Sequence, residues 1–78
     1  MKTVWVLNYR DDYWADNDIT IYANKEDAIK EFTEIAKEHE NDKEFSLNEK
    51  HYEASWENKC YYCGVSVWEE EVLYENDI

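Results

Sequence analysis

The sequence predicts a single α+β domain over residues 1–78, with one amphipathic helix packed on one face of a four-stranded, mainly antiparallel sheet in the order ββαββ. Two observations lead there. Only one window carries the helical repeat, and it is flanked on each side by two windows of alternating apolar residues. The stretches between these windows are polar and rich in turn-forming residues.

The elements follow in order. From Thr3 to Tyr9, Val4 and Val6 alternate with Trp5, Leu7 and Tyr9, which predicts a strand apolar on both faces and central in the sheet. Residues 10–18 are polar and read as a hairpin loop, after which residues 19–23 alternate as a second, antiparallel strand. Asn24 is a suitable N-cap with Asp27 three residues on, and a helix is expected to about Glu40. Ala28, Ile29, Phe32, Ile35 and Ala36 share its apolar side, while Asp27, Lys30, Glu31, Glu34, Lys37 and Glu38 take the other. Residues 41–50 read as a linker or loop pinned by Phe45 and Leu47. Tyr52, Ala54 and Trp56 alternate with polar residues in a third strand with one acidic face. After a turn at Asn58-Lys59, residues 60–74 read as a long strand interrupted by a bulge or bend near Glu69, Glu70 and Glu71.

A chain of this length supports one core, and four Trp, seven Tyr and two Phe are available to fill it. The net charge is −12, beyond the magnitude of roughly 2–8 that keeps a small domain soluble. Such an acidic chain has little means of displacing counterions from phosphate, so direct nucleic-acid binding is disfavoured and a basic partner expected. There is no membrane-spanning run and no signal-peptide pattern, and only two cysteines, so a cytoplasmic protein is expected, monomer or homodimer.

Enzyme chemistry finds little footing. Cys60 and Cys63 have the spacing of half a zinc knuckle, but only His39 and His51 could complete it, at spacings of no common finger. The simpler reading is two small strand residues flanking a tyrosine pair, with a disulfide formed on oxidation as the third possibility. His39 is expected to cap carbonyls or lay its ring against the sheet. Ser46, Ser55 and Ser66 sit in no nucleophile elbow, and Gly64 is the only glycine, which excludes glycine-rich phosphate loops. No catalytic residue, metal or cofactor is expected.

The acidic surface remains as the candidate site. Asp11, Asp12, Asp16 and Asp18 cluster in the first loop with the aromatic pair Tyr13 and Trp14, which are candidate anchors. Glu49, Glu53 and Glu57 recur along the third strand, and Glu69, Glu70 and Glu71 stand near the end. Carboxylates two residues apart on one strand face lie about 6.6 Å apart, a spacing comparable to a phosphate backbone. The plain alternative is a solvated face that serves solubility.

In size, charge and layout the chain resembles phage-encoded inhibitors of host defence, among them DNA-mimic anti-restriction and anti-CRISPR proteins. That resemblance carries over no functional position. It implies a non-enzymatic inhibitor whose carboxylates engage a basic nucleic-acid-binding protein, such as a bacterial defence effector. The alternative is an acidic protein–protein interaction or dimerisation module that uses an exposed sheet edge and aromatics.

Overall fold

In the computed structural model, which describes residues 2–11, 16–58 and 61–72, the first strand is internal to the sheet, as its two apolar faces require. β1 (Lys2–Asp11) pairs antiparallel with β2 (Asp16–Tyr22) on one side and with β5 (Tyr61–Val72) on the other. Between them in sequence come α1 (Lys25–Glu38), β3 (Lys43–Asn48) and β4 (Glu53–Asn58). The result is one antiparallel sheet in the order β2-β1-β5-β4-β3.

The α+β class and the single helix agree with the sequence reading, but the sheet has five strands and the order is ββαβββ. The residues read as a linker form β3, whose Leu47 pairs with Ala54 and whose Asn48 pairs with Glu53. Its alternation is hidden because a register shift falls between Lys43 and Ser46, where Glu44 takes a left-handed φ of 58°. β5, not β1, occupies the middle position. The expected bulge near Glu70 is absent: β5 stays in register with β1 from Lys2↔Val72 to Asp11↔Cys63. The three glutamates fit a straight strand because they simply alternate, all exposed, at the end of the sheet. β4 starts at Glu53 because Tyr52 has φ 53°, outside the extended region.

Asn24 caps the helix as its sequence position suggests, its Oδ1 accepting from the Asp27 N–H at 3.0 Å. The helix ends two residues before the expected Glu40, with His39 as C-cap. Asn24→Ala is expected to lower stability by about 1 kcal/mol in urea titration, the ordinary effect of losing a polar N-cap.

The core lies between α1 and one face of the sheet. Leu7, Ala54, Trp56, Cys63, Val65 and Val67 meet Ala28, Phe32 and Ala36 from the helix. Trp56 is its largest fully buried side chain. His39 packs as expected, its ring stacked on Trp56 with centroids 4.0 Å apart and planes 6° from parallel. Its Nδ1 is 2.8 Å from the Asp42 carboxylate.

Candidate functional site

Strand alternation assigns every residue of the sheet to one of two faces. On the helix-covered side β1 presents Trp5, Leu7 and Tyr9, matched across β5 by Glu69, Val67 and Val65. On the opposite, open side β1 presents Val4, Val6, Asn8 and Arg10, matched by Glu70, Trp68, Ser66 and Gly64. Ile19 and Ile21 of β2 continue this face beside Asn8 and Val6. Val6 is buried, but Ile19 and Ile21 are 56% and 57% exposed and Trp68 is 38% exposed.

The open face therefore has two halves. Val4, Val6, Ile19, Ile21 and Trp68 form an apolar half across β2, β1 and β5. The Trp68 indole N–H donates to the Glu70 carboxylate at 2.8 Å, which ties the ring to its own strand on this face. Across β5, β4 and β3 the face is polar and sunken, a shallow depression of about 470 Å³ lined by Asn8, Arg10, Glu53, Ser55, Gly64 and Ser66 among others. Gly64 keeps its floor low. A Cβ there would sit 3.2 Å from the Ala54 carbonyl oxygen, tighter than an ordinary contact. The Asn8 Oδ1 is buried without a hydrogen-bond partner among the described residues, an acceptor left open within this lining.

Charge is distributed unevenly between the two sides. Among the described residues of the open face, Lys2, Arg10 and Lys43 stand against Glu53, Glu57 and Glu70, equal in number. Lys43 Nζ reaches the Glu57 carboxylate at 3.7 Å. The excess acid lies elsewhere among the described residues: on α1 at Glu26, Asp27, Glu31, Glu34 and Glu38, on the helix-side face of the sheet at Asp18, Glu69 and Glu71, and around the connections. Its field is felt by two phenols. Tyr22 is raised above its ordinary value by burial first and then by Glu31, Asp27 and Glu34. Tyr9 is raised by burial first, then by Asp11, Cys63, Glu38 and Asp18.

A raised folded-state pKa means that the native protein holds these protons more tightly than the unfolded chain. Their contribution to stability is complete below the unfolded value of about 10 and is lost as pH rises through the folded values. Phenolate absorbance in an alkaline titration is expected to show a late-titrating subset of tyrosines, removed by Tyr9→Phe together with Tyr22→Phe.

Those of the residues expected to bind a partner that are described lie on both sides of the sheet. Glu53, Glu57 and Glu70 face the open side, whereas Asp11, Asp18, Glu69 and Glu71 face the helix side. Glu49 lies in the turn between β3 and β4. Asp16 begins β2, and Asp12, Tyr13 and Trp14 lie outside the described residues, as does Cys60. Asp11 has a local role, accepting from the Cys63 thiol at 3.5 Å. Sequence reasoning missed Ile19, Ile21 and Trp68, which the strand pairings bring together.

One edge of the sheet is also distinctive. β3 is broken by its register shift and carries Lys43 and Glu44, features that discourage further strand pairing. β2 at the other edge runs in continuous register from Trp5↔Tyr22 to Asp11↔Asp16, and its stretch Ile19-Thr20-Ile21-Tyr22 carries no charge.

No group of His, Cys, Asp and Glu among the described residues has the geometry to hold a metal ion, and no helix among them is long and apolar enough to cross a membrane. The class these features define is a small α+β domain in which, among the described residues, the helix covers one face of the sheet and nothing covers the other face or the β2 edge. No protein-family model, curated protein or solved structure matches the chain.

Proposed function

We propose that this is a non-catalytic protein-binding domain whose contact surface is the open sheet face together with its β2 edge. The observation that supports the reading is the coincidence of exposed Ile19, Ile21 and Trp68 with the charge-balanced surface of a chain whose net charge is −12. Apolar side chains grouped in this way mark interaction surfaces more often than scattered ones do. The acid on the other side keeps the free protein from associating indiscriminately. A photo-cross-linking residue at Ile19 is expected to couple to protein, whereas one at Glu34 on the helix is not. Unlabelled wild-type chain should compete the Ile19 adduct away, and an Ile21→Lys chain should fail to compete. Adducts at Glu34 alone would overturn the assignment of the face.

A second reading rests on a separate observation, the acid carried by α1 and the connections. In it the protein inhibits a basic nucleic-acid-handling protein, such as a bacterial defence effector, through those carboxylates. Its binding would weaken steeply between about 50 and about 500 mM salt and be competed by free DNA or RNA. Affinity that holds over that range would rule this reading out.

A further inference from the structure

We infer that the occupant of the β2 edge is a second copy of this chain, paired antiparallel about a two-fold axis at Thr20 so that the two five-stranded sheets become one. This rests on the reading above and specifies it. An antiparallel homotypic pair is isologous, each strand meeting itself in reverse. With Thr20 on the axis, Ile19 of one copy lies opposite Ile21 of the other on the open face, while on the helix side Thr20 meets Thr20 and Asp18 meets Tyr22. The whole of Asp18–Tyr22 lies within β2, so no residue outside the strand is needed. The two apolar half-faces then merge across the seam into one continuous surface, beginning with the Ile19 and Ile21 side chains that a single copy leaves more than half exposed.

Charge selects both the edge and the register. Two copies each carrying −12 repel one another, so an interface must avoid the acid. β2 concentrates its acidic residues, Asp16 and Asp18, at one end, and an antiparallel partner places its uncharged Tyr22 against Asp18 while Asp16 stays beyond the paired segment. With the axis at Thr20 the two Asp18 residues are about 13 Å apart along the strands, beyond a Debye length of roughly 8–10 Å. A register centred on Asp18 would place those carboxylates directly opposite each other, an arrangement that destabilises a sheet. The remaining repulsion comes from the net charge of the two copies, including Asp27, Glu31 and Glu34, whose charge is felt at Tyr22 at the end of the paired segment. Salt should therefore tighten self-association, opposite to its effect on binding to a basic partner.

The test joins sedimentation equilibrium with a symmetric cross-link. Wild-type protein is expected to show a concentration-dependent monomer–dimer equilibrium that shifts toward dimer as salt is raised. Ile21→Lys, at a position exposed in the single copy, should remain folded by circular dichroism and sediment as monomer. Directly opposite residues in an antiparallel pair have Cα atoms about 4.5–5.5 Å apart, within disulfide range. Thr20→Cys should thus form an intermolecular disulfide at least tenfold faster than Glu34→Cys, with wild type as the control for the native thiols. A wild-type chain that stays monomeric into the millimolar range overturns the inference. So does a dimer that survives Ile21→Lys, or one in which Thr20→Cys cross-links no faster than Glu34→Cys. Each of these can coexist with Ile19 adducts to another protein, which would keep the open face as a binding surface; loss of both results removes that surface as well.

Discussion

Trp56→Ala is expected to destabilise the domain by about 3–5 kcal/mol, the range for deleting a large buried aromatic side chain. Trp56 is 1% exposed, the His39 ring stacks on it at 4.0 Å, and Tyr9 tilts against it at 6.1 Å. These neighbours come from the helix C-cap and from β1, while Trp56 itself is on β4. Truncation therefore opens a cavity bounded by three separate elements, which no single rotamer change fills. A domain of this length has a total stability of about 4–12 kcal/mol, so the loss is a large share of it. The urea midpoint followed by circular dichroism should fall sharply, and Trp56→Phe should recover part of the loss. A change below about 1 kcal/mol would mean that the cap and β1 are held by other contacts.

Phe32→Ala is expected to have an effect of similar size, about 3–5 kcal/mol, but located differently. The buried residues of α1 are Ala28, Phe32 and Ala36, so Phe32 is the only large side chain among them. The two alanines allow close approach to the sheet, and the ring fills the space between, edge-on to Tyr52 at 6.2 Å and 80°. Adhesion of the helix is thus concentrated at one position, with Ile29 and Ile35 partly buried beside it. Amide exchange should accelerate more in α1 than in the β1–β5 pair, because the sheet ladder does not depend on that ring. Uniform acceleration across helix and sheet would show that the two layers open as one unit.

The legible parts of the fold were those in which one local signal had no competitor. Asn24 and the spacing of Ala28, Phe32 and Ala36 place the helix, and Ile19-Thr20-Ile21 places a strand, because period and capping chemistry agree there. β3 was hidden because Glu44 and the register shift interrupt the alternation just where Phe45 and Leu47 would reveal it. Charge misled at Glu69, Glu70 and Glu71: a run of acid suggests a break, yet an exposed strand end accommodates it by alternation. The binding face was hidden for another reason. Sequence assigns residues to alternate sides of a strand, but only strand pairing shows which of those sides coincide across the sheet. One clue was present from the start. β1 is apolar on both faces and the described residues form one helix, which can cover only one of them.

The central position of β5 has a consequence in time. β1 and β4 are both its neighbours, yet they are made first and have no direct pairing in the sheet order. Until residues 61–72 leave the ribosome, the only strand pairings open to the nascent chain are the hairpins β1–β2 and β3–β4, each marginal by itself. Pairing Lys2 with Val72 closes nearly the whole described length of chain, the kind of distant contact that slows folding. The domain should therefore fold in one cooperative step in which β5 acts as the keystone, and a chain stalled before β5 should be prone to aggregation.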